Sequence, residues 1–263
     1  MKKITGAITA LVTPFKQSGE IDVASLEKLV DWQIESGING LVPCGSTGEA
    51  ATQTIGDYKL VVETVIKKTA GRVPVIAGAT SNDTSKAVEL SIIAKNAGAD
   101  VLLHATPYYN KPTLAGLVAH YKEIAKVVDL PIIIYNVPGR TGLNLTSSMT
   151  LEIAKQVDQI VGIKEASGNI IQIMEVIKGA STDFSTLSGD DAMTLPVMAA
   201  GGMGIISVAS NEIPSEMTDL VSSALSGNFE KARKVHFKWV DLMNVNFIES
   251  NPIPVKTAMS MMG

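Results

Sequence analysis

A chain of 263 residues, 46% hydrophobic and 18% charged, carries enough apolar material for one large core or two small ones. Its formal net charge of -4, with no long basic run, excludes the electrostatic footprint of a nucleic-acid binder or of a protein held on an anionic membrane surface. One cysteine, Cys44, rules out an intrachain disulfide, and His104, His120 and His236 stand in no metal-ligand spacing, so no metal is expected.

The first predicted strand is Gly6–Val12, stopped by Thr13-Pro14. Asp22 is the expected cap of a helix running to about Ser36, with Leu26, Leu29, Val30 and Ile34 on one face and Gly37 at its end. Strand two, Gly40–Cys44, runs into Gly45-Ser-Thr-Gly-Glu49. A helix from about Ile55 to Thr69 follows, closed by Gly71. Strand three is Val73–Gly78, followed by a helix from about Thr84 to Ala97 and its closing glycine, Gly98. Strand four, Asp100–His104, opens into Ala105-Thr-Pro-Tyr-Tyr-Asn110, and a helix is read from Thr113 to Val128. Strand five, Pro131–Tyr135, ends in Asn136-Val-Pro-Gly-Arg-Thr-Gly142, before a helix from about Ser147 to Val157. Strand six begins at Ile160 and closes on Lys164. Strand seven is Phe184–Leu187, ahead of Ser188-Gly-Asp-Asp191, and strand eight is Gly204–Val208, entered through Gly201-Gly-Met-Gly204. Helices from about Pro214 to Leu225 and Phe229 to Ile248, with a short one after Pro254, complete the chain.

Eight strands at this regular spacing, most of them followed by a helix, predict an α/β fold of the TIM (β/α)8 type, with a doubly wound open sheet as runner-up. Residues 1–226 are assigned to the barrel and 227–263 to a short helical appendage. No apolar run approaches the roughly 20 residues of a membrane span. Met1-Lys-Lys-Ile-Thr-Gly6 lacks the apolar stretch of a signal peptide, so a reducing cytoplasm is the expected setting.

In such a barrel the C-terminal strand ends share one mouth, where active sites sit. Ser46, Thr47, Tyr108, Tyr109, Tyr135, Arg140, Lys164 and Gly189 should therefore converge. Each has a plainer reading alone: the hydroxyls as helix caps, the tyrosines as core residues with a wet tip, Arg140 and Lys164 as solvated charges. Lys164 ends an apolar run, and an amine desolvated there loses its proton more readily and becomes a nucleophile for Schiff-base chemistry. The glycine loop lacks the lysine and spacing of a P-loop, and its N–H groups and hydroxyls suit a small carboxylate instead.

Gly45-Ser-Thr-Gly-Glu49, Pro107-Tyr-Tyr-Asn110, Tyr135-Asn-Val-Pro-Gly-Arg-Thr-Gly142, Gly162-Ile-Lys-Glu-Ala-Ser-Gly-Asn169, Leu187-Ser-Gly-Asp-Asp191 and Asn251-Pro-Ile-Pro-Val-Lys256 together resemble the dihydrodipicolinate synthase family, in the pyruvate-dependent class I aldolase group that also holds N-acetylneuraminate lyase. The resemblance implies a lyase of lysine (diaminopimelate) biosynthesis, condensing pyruvate with L-aspartate 4-semialdehyde, with neither metal nor organic cofactor. It implies Lys164 as imine nucleophile and Tyr135 as proton relay. Ser46 and Tyr109 complete that relay, Tyr109 from a neighbouring subunit of a homo-oligomer (dimer or tetramer). Thr47 would hold the pyruvate carboxylate and Arg140 the semialdehyde's. Gly189 and the carbonyl of Ile206 would line the pocket. Two departures stand out. Serine replaces the synthases' usual threonine at Ser46, which adds weight to a sibling aldolase cleaving sugar acids, whereas Arg140 favours the synthases. The chain also stops soon after Lys256, so the appendage is expected to look truncated. A non-enzymatic sensor on the same barrel has no need of both Lys164 and Tyr135. Where lysine-sensitive relatives use histidines and a glutamate to bind lysine, this chain has Ile55, Tyr58 and Lys86 beside Asn82 and Tyr108, so weak feedback is expected.

Overall fold

The computed structural model describes residues 3–263. Strands and helices alternate from the start: β1 (Gly6–Ala10), α1 (Val23–Glu35), β2 (Gly40–Val42), α2 (Ile55–Thr69), β3 (Ile76–Gly78), α3 (Thr84–Ala97), β4 (Val101–Ala105) and α4 (Leu114–Val127). The second half holds β5 (Ile132–Asn136), α5 (Pro138–Thr141), α6 (Ser147–Gln156), β6 (Ile160–Glu165), α7 (Ile170–Gly179), β7 (Ser185–Ser188), α8 (Thr194–Ala199), β8 (Gly204–Ser207) and α9 (Pro214–Leu225). Two further helices follow, α10 (Phe229–Val245) and α11 (Ile253–Met262).

The strands lie in the order β2-β1-β8-β7-β6-β5-β4-β3. A parallel bridge between Leu41 and Val75, with Leu41 N–H donating to Pro74 O at 3.1 Å, joins the two ends of that series. Neighbours in sequence are thus neighbours around a ring, and the fold is a TIM barrel. A doubly wound sheet would instead reverse its strand order at a switch point.

Alternation along the strands makes two cores. Ile8, Val42, Ile76, Leu103, Ile133 and Ile206 fill the barrel interior. Ala7, Leu41, Leu102, Ile132 and Ile163 point outward into the layer under the helices, where they meet Leu26, Val62 and Leu117 among others. Strands buried on both faces explain the near-continuous apolar runs in the sequence. Local signals act where they were expected. The Asp22 carboxylate accepts from Ser25 N–H at 3.1 Å at the head of α1, and Gly98 ends α3 in the left-handed region at φ +98°. α2 differs, because Ala70 rather than Gly71 is its left-handed C-cap, and α10 stops at Val245 rather than Ile248. α7, α8 and the single turn α5 were not anticipated.

Candidate active site

The alternation that builds the barrel also aims its chemistry. Tyr135 and Lys164 are register partners on β5 and β6, beyond a register shift between Ile132 and Ile133 that leaves Val161 without a partner on β5. Both side chains point into the barrel, and the Lys164 Nζ stands 4.3 Å from the centre of the Tyr135 ring. Lys164 is only 5% exposed. Burial pulls its ammonium down from the ordinary lysine range to about 8; the Asp191 carboxylate opposes that shift and the Arg140 guanidinium adds to it. Burial pushes the Tyr135 phenol up to about 12, with Arg140 pulling it back and Asp190 adding to the rise.

Gly189 follows β7 and lies against the lysine. A Cβ there would come within 2.7 Å of the Ala166 Cβ and 3.1 Å of Lys164 Cγ and Cε, so the absent side chain is what lets the lysine stem lie where it does. Asp191 is locked into the start of the turn after β8. Its oxygens accept from the Ser207 hydroxyl at 2.5 Å and from Val208 and Ala209 N–H at 3.0 Å each.

The loop after β2 is tight, with Gly48 N–H donating to Gly45 O at 3.1 Å and Cys44 and Glu49 both at positive φ. Thr47 is buried and its Oγ1 accepts from Asn251 Nδ2 at 3.0 Å, whereas Ser46 is exposed. Arg140, on α5, donates from Nη2 to the Asn251 carbonyl at 2.9 Å. Asn251, between α10 and α11, therefore ties the loop after β2 to the loop after β5. Lys256 on α11 braces the same mouth, pairing with Glu49 at 2.6 Å and donating to Thr13 O at 3.0 Å. A cavity of about 240 Å³ opens here, lined by Gly45, Ser46, Tyr108, Tyr135, Arg140 and Thr141 among others. Tyr135 both lines this cavity and carries the lysine amine over its ring.

Most of the expected residues meet at one mouth. Arg140 is exposed at its rim. Tyr109 is 89% exposed, at φ +70°, and Tyr108 rather than Tyr109 lines this chain's cavity. The Ile206 side chain packs in the barrel interior with Tyr135 and Leu187. The sequence reading assigned no roles to Asn251 and Asp191. Both fall inside motifs singled out above, but each stands beside other polar residues, Asp190 and Ser250, and nothing local marks it apart.

The family model described as the dihydrodipicolinate synthetase family matches residues 3–263. The chain belongs to that family. A dihydrodipicolinate synthetase relative from Nitratidesulfovibrio vulgaris (strain DSM 19637 / Miyazaki F), named 4-hydroxy-tetrahydrodipicolinate synthase, is 52% identical over 258 residues, covering 98% of this chain and 88% of its own. The crystal structure of dihydrodipicolinate synthase from Aquifex aeolicus superposes with a TM-score of 0.96 at 46% identity, covering 99% of this chain and 88% of that one. A dihydrodipicolinate synthase variant characterised as monomeric is as similar in fold, with a TM-score of 0.96 at 44% identity over 99% of this chain and 87% of that one.

Proposed function

We propose that the chain is a lyase of the class I aldolase type that condenses pyruvate with L-aspartate 4-semialdehyde to 4-hydroxy-tetrahydrodipicolinate, in lysine (diaminopimelate) biosynthesis. The observation that carries the chemistry is the Lys164 amine, buried in the barrel, drawn down to about 8 and standing over the Tyr135 ring. The free amine attacks the carbonyl carbon of pyruvate, and water leaves to give an imine. Loss of a methyl proton then leaves an enamine, whose carbon attacks the aldehyde of the second substrate; the amino group of that substrate then attacks the imine carbon, closing the ring and expelling the Lys164 amine. Tyr135, a phenol held protonated, is placed to pass protons to and from the departing and arriving oxygens. Ser46 extends that relay to the mouth. Thr47 and the N–H groups of its loop receive the pyruvate carboxylate, and Arg140 receives that of the semialdehyde. Gly189 and the Ile206 carbonyl bound the pocket.

Tyr109 supports assembly as a homo-oligomer. A large aromatic side chain almost wholly in solvent, on a strained left-handed backbone, suits a residue delivered to a neighbouring subunit's site. Among the described residues no helix is long and apolar enough to cross a membrane. Residues 1–226 supply the chemistry in this reading, and 227–263 brace the mouth through Asn251 and Lys256.

Borohydride reduction in the presence of pyruvate, followed by mass spectrometry, tests the reading. A pyruvyl adduct on Lys164 that disappears in Lys164→Ala is expected, together with turnover of aspartate semialdehyde. An undiminished adduct in Lys164→Ala, or efficient cleavage of N-acetylneuraminate without synthase turnover, would overturn it. Fully active monomers, with sedimentation and assay at one concentration, would contradict the role of Tyr109.

A further inference from the structure

Each residue of the Lys164–Tyr135 pair is followed by a polar one that faces the other way. Asn136 and Glu165 are the next register partners on β5 and β6, and strand alternation places them outside the barrel, under the helices. Glu165 is 1% exposed and Asn136 is fully buried. The Asn136 amide donates to both carboxylate oxygens, at 3.0 and 3.1 Å. Ser167 N–H donates to Glu165 Oε1 at 2.7 Å, and Gln172 Nε2, on α7, donates to Oε2 at 2.9 Å. Asn136 Oδ1 is in turn held by Leu145 N–H at 2.9 Å.

Every partner of Glu165 is a neutral donor. The site accepts a group that only accepts, and a carboxylate is the side chain of that kind. A buried carboxylate of this sort makes sense if its geometry is what matters. It fixes the separation of the two strand ends and the direction in which the chain turns after β6. One residue back on each strand stand the amine and the phenol.

We propose that Glu165 and Asn136 are positioning residues, which set from outside the barrel how the Lys164 amine meets the Tyr135 ring inside it. The inference rests on the assignment of Lys164 as the imine nucleophile. Glu165→Gln turns an amide N–H₂ toward groups that are themselves donors, and the end of β6 must shift to relieve it. Asn136→Ala removes the cross-strand bonds and leaves the carboxylate on Ser167 and Gln172.

Borohydride trapping of pyruvate on the full chain reads the lysine's geometry. At saturating pyruvate both single variants should trap more slowly by about 10–100-fold, the scale of a displacement near one ångström. Their far-UV circular dichroism and melting should show them folded at the assay temperature. Because the two side chains act through one another, Asn136→Ala combined with Glu165→Gln should trap about as slowly as the slower single variant rather than by the product of the two losses, the mark of a coupled pair. Three results would each overturn the positioning role: single variants that trap at the wild-type rate, single variants slowed only by their unfolded fraction, or a double variant whose losses multiply. A wild type with no adduct on Lys164 would overturn the parent assignment as well, whereas an adduct with unaffected variants would overturn the positioning role alone.

Discussion

The Lys164 ammonium loses its proton near pH 8 because it is buried, with Asp191 opposing and Arg140 assisting the shift. The rate of imine formation should therefore rise with pH through about 8 and level off above it, as the free amine accumulates. Arg140→Ala removes one of the two effects that lower this value, so the midpoint should move upward in that variant, which stopped-flow trapping between neutral and alkaline pH would read. The same variant has a second, separable effect. Without the guanidinium fork at the rim, the apparent KM for aspartate semialdehyde should rise by about 10–100-fold, the worth of a hydrogen bond to a charged group. That for pyruvate should change far less, and equal changes in both would contradict the assignment. Tyr135→Phe keeps the ring that covers the amine and removes only the hydroxyl. Pyruvate binding should survive while turnover falls by about 100-fold or more, the usual scale for loss of a general acid–base group. Unchanged turnover would send the proton relay elsewhere.

Elements were legible wherever burial leaves a pattern and the ends carry turn chemistry. All eight strands could be placed because burial on both faces makes them apolar runs, and six helices from α1 to α9 because one face is buried. α8 was not legible because six residues containing Pro196 show no period. α7 was missed although Asn169 caps it and Ile173 and Val176 mark its buried face; an apolar run so close behind β6 reads as readily as strand. The candidate site was legible as a set of polar groups at strand ends. What links them was not, because the partners of Asn251 and Asp191 lie far off in sequence and only the folded chain brings them near. Two elements frame a further test. Ile55 and Tyr58 on α2, Lys86 on α3 and Tyr108 line a small cavity of about 40 Å³, adjoining the larger one through Ala50, Ala51, Gly78 and Thr80. The Tyr58 hydroxyl is spent on Leu90 O at 3.3 Å, and the Lys86 side chain brings a positive charge to the rim. A ligand ammonium leaving water needs an opposite charge and meets a like one here. L-Lysine should therefore inhibit weakly or not at all, measured as initial rates at saturating pyruvate across a lysine titration. Clear inhibition at sub-millimolar lysine would mean that another acid, such as the exposed Glu89 on α3, had taken the ammonium.

At the scale of the whole molecule, the histidines that hold no metal spacing acquire a different significance. His104 on β4 and His120 on α4 are both buried in the layer between barrel and helices. His104 Nε2 meets the Ser91 hydroxyl at 3.2 Å and His120 Nδ1 meets that of Thr84 at 2.9 Å, while the other nitrogen of each ring has no partner among the described residues. Burial lowers His104 to about 3, with His120 adding to the effect, and lowers His120 to about 4, against the pull of Asp83. Both values lie below the ordinary 6.5, so between these limits the unfolded chain binds protons that the folded chain refuses. The stability that the neutral rings contribute is complete above pH 6.5, falls steadily below it, and is wholly lost once pH has passed about 4 for His120 and about 3 for His104. Each ring costs about 2 kcal/mol by pH 5, which is a large share of the 5–15 kcal/mol typical of a folded domain. Burial raises the carboxyls of Asp191 and Glu212 above their ordinary 3.8 and 4.5, which works in the opposite sense. Urea unfolding followed by circular dichroism should show the midpoint dropping between pH 7 and pH 5, the two histidine effects outweighing that opposition. Burial lowers His236 as well, so His120→Gln, which keeps a polar group facing Thr84 and cannot take up a proton, should reduce that drop in part, by about a third to a half. A wild-type midpoint that stays level from pH 7 to pH 5, or a variant that falls as steeply as the wild type, would contradict the account.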